Sequence, residues 1–226
     1  MLELSYKDKK NKLKFPQTIT PLLAEFIGFH FGDGHYNLHK KNDYYFFYGG
    51  NKEEKDYYDN HIKPILRELF NLSVNTREFK TVYGFYIRSK GLYNYFNEIL
   101  KIPKGKKNNL TVPDYIKKGT KEVKCAFIRG LFDTDGSFNI KKNGKYQYPR
   151  ITICSINQKM LEEIKEIVSL LGVRCNIYKY ENIDKRTLKL HTRFVIQTNG
   201  FKEVKKWIEL IGTSSTNRLK QISQFF

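Results

Sequence analysis

The chain has 226 residues, with 41 Lys and Arg against 23 Asp and Glu, a formal charge of +18. That length carries one large domain or two modest ones with a full core, and that charge draws polyanions, nucleic acid first among them. No apolar run approaches the ~20 residues of a membrane span, Met1 to Lys14 is charged throughout without a secretion-signal core, and no basic amphipathic helix or lipidation motif suggests a membrane surface.

In chain order, Met1 to Pro16 reads as a polar, loose arm, with residues 1–19 set apart as an N-terminal segment. Thr20-Pro21 is an N-cap and first-turn pair that opens a helix running to Asp33. Tyr36 to Asn51 reads as a strand hairpin interrupted by Lys40-Lys41-Asn42-Asp43. Tyr58, Ile62, Ile65, Leu66 and Leu69 recur at helical spacing within Lys52 to Phe70. Val74 to Arg88 then gives two strands, and Leu92 to Leu100 a helix that completes a first half over 20–100. Residues 101–120 form a basic linker with Pro103, Gly105, Pro113 and Gly119.

The second half, 121–226, starts the order again. A helix leads to Asp135, Phe138 to Ser155 is a hairpin turning near Lys142 to Lys145, and Gln158 to Leu171 is an amphipathic helix. Val173 to Gln197 supplies two strands and Phe201 to Ile211 a helix with the only tryptophan, Trp207. The fold class is therefore α+β, a duplication of an α-β-β-α-β-β-α unit with two antiparallel sheets. Cys125, Cys154 and Cys175 are odd in number and widely spaced, which fits reduced thiols in a cytosol-like compartment, cytoplasm or organellar matrix.

The two helices are copies of one motif. Ala24, Gly28, Gly32, Asp33 and Gly34 match Ala126, Gly130, Thr134, Asp135 and Gly136 at a constant offset, 102 residues from Asp33 to Asp135. Small residues every fourth position let two helix backbones approach closely. Gly34 and Gly136 suit the left-handed position that stops a helix. Asp33 and Asp135 then stand where the helix dipole already makes the end negative, so a cation should offset the cost. Two such ends brought together make an all-oxygen site suited to magnesium or calcium. A nucleotide-binding glycine loop is excluded, because Gly32-Asp33-Gly34 ends a helix where phosphate needs one to begin.

Phe26 to Gly34 and Ile128 to Gly136 each resemble the nine-residue motif of the LAGLIDADG homing endonucleases, and the repeated element order extends the resemblance across nearly the whole chain. Lys101 to Lys107, followed by Val112-Pro113, is similar to the segment before the second motif in intein-type members. The initial Cys or Ser and terminal His-Asn of an intein are absent, so the resemblance implies a free-standing or intron-encoded, single-chain, two-motif enzyme. It implies a monomer whose two sheets form a saddle over double-stranded DNA. Asp33 and Asp135 would be metal ligands, with help from Gly32 and Thr134, for magnesium-assisted phosphodiester hydrolysis; manganese would substitute, and calcium would bind without cleavage. Lys106 or Lys107 in the first half and Arg218 in the second are the basic residues the resemblance puts near the metal. Asp133 reads as accessory or structural, and His30 as a hydrogen-bonded core histidine.

Strand alternation directs every second side chain to the major groove. On that basis Lys189, His191 and Arg193 share one face, Tyr146, Tyr148 and Arg150 another, and Arg77, Lys80 and Arg88 flank the first sheet. The halves differ outside the motif, so the implied target is long and asymmetric. The competing expectation is an RNA maturase acting on intron RNA, or a non-cleaving DNA-binding regulator, on the same fold. Retention of both acids favours the nuclease.

Overall fold

Each motif helix starts where its cap dictates. The Thr20 hydroxyl accepts from the Leu23 N–H at 3.2 Å and opens α2, Pro21–Asp33. Thr120 does the same for Val123 at 3.4 Å and opens α7, Lys121–Asp135. The structure is a computed structural model that describes residues 2–39, 43–105, 107, 109–183, 186 and 188–226. The turn expected at Lys40 to Asn42 lies outside the described residues.

After α1, Tyr6–Lys10, and α2 come β1, Gly34–His39, and β2, Asp43–Gly50. A continuous helical run follows: a 3-10 turn Lys52–Glu54, α3 Lys55–Tyr57, a π-turn Tyr58–Ile62 and α4 Lys63–Phe70. Then come β3, Arg77–Glu78, β4, Tyr83–Arg88, and α5, Lys90–Asn94, extended by a π-turn Tyr95–Ile99. The short α6, Asp114–Lys117, precedes α7. The second half adds β5 Gly136–Asn143, β6 Tyr146–Ser155, α8 Gln158–Leu170, β7 Asn176–Ile183, β8 Leu190–Asn199, α9 Phe201–Leu210 and α10 Thr216–Ser223. Both sheets are antiparallel and share one topology, β1-β2-β4-β3 and β5-β6-β8-β7. The expected duplication is the observed architecture.

The two halves meet through α2 and α7, and the sequence explains the contact. A methyl group on Gly28 would overlap the Phe127 carbonyl oxygen, and one on Gly130 would overlap the Glu25 carbonyl oxygen. The two backbones touch reciprocally, across a pseudo-twofold axis. Most of the middle of both helices is buried, and Leu23, Phe26, Ile27 and Phe29 of α2 join Phe127, Ile128, Leu131 and Phe132 of α7 in one continuous core. The first half's core is aromatic, built around Phe26, Phe46, Tyr48, Phe70, Phe85 and Phe96. The second is mostly aliphatic, closed by Trp207. Each such side chain contributes roughly 1.5–3 kcal/mol on burial.

Three expectations are corrected. Gly34 and Gly136 are not left-handed: their φ values are −86° and −101°, and each helix runs directly into a strand. The requirement for glycine is steric, since a Cβ at Gly34 would lie 2.7 Å from the Tyr48 ring and one at Gly136 would strike the Phe132 ring. The N-terminal arm is not loose. Ser5 and Asp8 form a capping box, Asp8 is buried and accepts the Gly91 N–H at 2.9 Å, and Phe15 lies 5.1 Å from the Tyr95 ring. Apolar residues spaced among its lysines supply that docking. Within 101–120, Ile102, Leu110, Val112 and Ile116 are buried, so this basic segment is part of the core's wall.

Gly130→Val should lower unfolding free energy by about 3 kcal/mol through overpacking at the α2–α7 contact. Leu170→Ala, at a side chain 84% exposed, should stay within about 0.5 kcal/mol. Urea denaturation of both variants measures the difference.

Candidate active site

Because α2 and α7 converge, their last residues converge too. The Asp33 carboxylate accepts the Tyr58 hydroxyl at 2.6 Å. Gly50 leaves the space that this acid and Glu54 share: a Cβ there would sit 2.7 Å from Asp33 Oδ2 and 2.5 Å from Glu54 Oε2. Burial pushes Asp33 up to about 7; the neighbouring Glu54 and Asp135 charges add to the rise, while Tyr58 and Lys107 oppose it. Asp135 opens to the cleft but is hemmed by protein on its other sides, and this desolvation pushes it up to about 6 against the pull of Lys107 and Arg218. Two acids held this far above their ordinary range are short of positive charge.

The nearest cations occupy equivalent places. Lys107 Nζ donates to the Phe31 carbonyl at 2.8 Å and to the Gly32 carbonyl at 2.5 Å. Arg218 Nη2 donates to the Asp133 carbonyl at 3.2 Å, and Asp133 is the counterpart of Phe31 in the repeat. One cation therefore sits on the last turn of each motif helix, where the carbonyls have no intrahelical partner. Burial brings Lys107 down to about 8, against the attraction of Asp135 and Asp33. Lys106, the other lysine singled out in the sequence, lies outside the described residues. Gly32 and Thr134 face each other across the axis, and the Thr134 hydroxyl turns back to the Leu131 carbonyl at 2.9 Å.

Two further motif residues are built into the frame. His30 is buried, its Nδ1 lies 3.0 Å from the Tyr48 hydroxyl, and burial keeps its pKa well below the ordinary value. It is a neutral core imidazole. Asp133 is buried beneath the segment before α10, accepting the Ser214 N–H at 2.7 Å and the Thr213 hydroxyl, with Arg218 Nε 3.9 Å away.

The sheets flank this point. In each, one face packs on the core and the alternate face is free. His191 and Arg193 of β8 pair with Asn182 and Tyr180 of β7, and they line a cavity of about 600 Å³ with Lys107 and Asp135. Tyr146, Tyr148 and Arg150 share that free face of β6, and Arg150 Nε donates to Asn199 at 2.5 Å. Lys189 is exposed just before β8. In the first half Arg77 and Arg88 lie on the free face, Arg77 stacked 4.9 Å from the Phe79 ring and Arg88 3.0 Å from Asp43, while Lys80 is exposed in the β3–β4 turn.

Residues 122–212 match a LAGLIDADG-like domain. That match covers α7 and the second sheet of the chain. Its two-sheet fold is also that of the homing endonuclease I-DmoI in complex with DNA and Ca (TM-score 0.62, 21% identity, covering 92% of this chain and 100% of that one). The homing endonuclease I-WcaI bound to its DNA recognition sequence aligns similarly (TM-score 0.61, 14% identity, 95% and 92% of the two chains). Among curated proteins, the glutamine–fructose-6-phosphate aminotransferase of Methanocaldococcus jannaschii is 25% identical over 224 residues, which are 97% of this chain and 19% of the relative. The chain thus spans about a fifth of that relative's length.

Sequence reasoning missed three contributors to this site. Tyr58 and Glu54 come from the helical run after the first hairpin, and nothing in their local pattern marks them. Glu25 is different: a carboxylate on the apolar motif helix is a visible anomaly. It is buried at the axis, accepting from Arg129 Nη2 at 2.5 Å, His61 Nε2 at 2.7 Å and the Ser214 hydroxyl at 2.7 Å. Burial alone would raise Glu25; the hydrogen bonds and charges of His61 and Arg129 overcome it and hold the acid at about 2. Its stabilisation is therefore full above the ordinary carboxylate value of 4.5 and is lost as pH falls towards 2. Glu25→Gln should cost about 3 kcal/mol at pH 7 by stranding Arg129, with the gap to wild type closing as the pH is lowered below 4.5. Denaturant unfolding across that pH series tests it.

Proposed function

We propose that this chain is a divalent-metal-dependent, site-specific endonuclease that cuts both strands of a long, asymmetric DNA target as a single chain. The observation that carries this is the meeting of Asp33 and Asp135 at one point, each beside a cation on its own last helical turn, between two free sheet faces of a +18 protein. The residues fit a hard divalent ion. Both carboxylates are held above their ordinary range for want of positive charge, and the donors on offer are all oxygen. Among the described residues no group of three or more His, Cys, Asp or Glu is placed to hold a metal. The remaining ligands must then come from backbone, water and the DNA phosphate, the usual arrangement for magnesium.

When bound, such an ion supplies an acidified water and positive charge against the scissile phosphate. The chain's own groups do the positioning. Asp33 and Asp135 hold one side of the ion, and Tyr58 fixes the orientation of the Asp33 carboxylate. Lys107 and Arg218 place positive charge where negative charge builds on the phosphate and on the leaving oxygen. His30, neutral and buried, plays no proton-transfer part. Net charge and the exposed Arg and Lys of the sheet faces and turns hold the backbone of the duplex, so binding should weaken steeply with salt.

A target is first selected from randomised duplex DNA in calcium, then presented in a plasmid with magnesium. Wild type should linearise it, manganese should replace magnesium, and calcium should support binding without cleavage. Asp33→Asn and Asp135→Asn should each lower double-strand cleavage at least about 100-fold while leaving binding in calcium within about fivefold. Tight binding with no cut in either magnesium or manganese would overturn the nuclease in favour of a binding protein.

A further inference from the structure

The free faces of the two sheets differ in chemistry at equivalent positions. Gly34 pairs with Tyr48 and Gly136 with Ile153, so the next residues stand in equivalent rows across each sheet. In the first sheet that row is His35, Phe47 and Tyr86. In the second it is Ser137, Thr152 and Gln197. Rings stand where the other half carries hydroxyls and an amide.

The ring cluster is extensive. Phe47 lies 4.7 Å from the Tyr86 ring and 5.3 Å from the Phe79 ring, and Tyr86 is 51% exposed. The next row is Asn37, Tyr45 and Arg88; the Tyr45 ring is stacked 4.3 Å from His39 of the row beyond, and its hydroxyl is engaged by His35 Nε2 at 3.1 Å. In the second sheet Ser137 and Thr152 are half-buried and share a hydrogen bond at 2.7 Å, while Gln197 is buried and its amide donates to Tyr180 at 2.9 Å; rings stand further from the acids on this sheet, at Tyr146, Tyr148 and Tyr180.

We propose that the rows beside the two acids read base sequence by different chemistry, the first sheet's row through the 5-methyl groups of thymine and the second's through hydrogen bonds from Ser137 and Thr152 to base edges. This rests on the DNA-binding reading above. Thymine carries the apolar group that a base pair presents in the major groove. A ring laid on a donor or acceptor would strip water from it and return no hydrogen bond, so the first sheet favours thymine and disfavours guanine and cytosine edges. DNA is the occupant that suits this apolar patch because His35, at one end of the ring row, follows Asp33 by two residues, and Arg77 and Arg88 stand at the rim where phosphates would pass.

Deoxyuridine differs from thymidine by that methyl alone. In the selected target, thymine is replaced by uracil in the base pairs nearest the cut, in one half-site at a time, and binding is measured by fluorescence anisotropy in calcium. One half-site should be rich in thymine and lose about fourfold in affinity for each contacted methyl removed. The other should change by less than roughly twofold in total. In Tyr86→Ala and Phe47→Leu the uracil penalty should shrink or vanish. Tyr86 projects from the surface, so its truncation leaves the core untouched, and the substitution in DNA needs no protein variant at all. Equal penalties in both half-sites, none in either, or a penalty that persists in both variants overturns the inference. Failure to select any duplex target would instead sink the DNA-binding reading on which it rests.

Discussion

The contact between the backbones of α2 and α7 is the constraint on which the rest depends. Helices with ordinary side chains pack with axes about 8–10 Å apart. Here Gly28 and Gly130 remove the side chains at the crossing, and peptide groups touch. That proximity turns two separate helix ends into one site with an acid from each half. It also sets the relation of the sheets, because each strand pair begins at the residue after the acid. A strand leaving directly from a helix end has no loop in which to wander, so the saddle inherits the pseudo-twofold symmetry of the helices.

The site is expensive in stability. Two carboxylates at the negative ends of two helices, both pushed above their ordinary range, favour separation of the elements that carry them. The aromatic core of the first half, the aliphatic core of the second and the buried Glu25–Arg129 pair hold those ends together against that tendency. Lys107 and Arg218 offset part of the cost from the carbonyl side. Functional sites commonly carry such unfavourable features, compensated elsewhere in the fold.

Much of this was legible in the chain. The repeat at fixed offset pointed to the duplication, the small-residue face to the helix crossing, and strand alternation grouped Tyr146, Tyr148 and Arg150 on one face and His191 and Arg193 on another. Local pattern failed where geometry is set by distant packing. Gly34 and Gly136 carry the sequence signature of a left-handed stop, but the nearby Tyr48 and Phe132 rings decide why only glycine fits, and the backbone stays extended. The arm before α2 looked soluble because lysines dominate it, while the few residues that dock it, Leu2, Leu13 and Phe15, are spaced without period. Tyr58 reaches Asp33 from 25 residues away in sequence through a π-turn, a register that no propensity announces.

Glu25 carries one more consequence. Its counterpart in the repeat is Phe127, and the counterpart of Arg129 is Ile27. A dimer of two first halves would set each Glu25 against isoleucine, and a dimer of two second halves would set each Arg129 against phenylalanine. The first arrangement takes Arg129 from a buried Glu25 and leaves it only His61 of its own half, and the second leaves Arg129 without its carboxylate; breaking such a pair costs several kcal/mol. The ion pair forms only between unlike halves. The duplication has thereby become irreversible: the halves can no longer serve as interchangeable subunits, and the difference between the two sheets is guarded by a pair of residues that lie in neither.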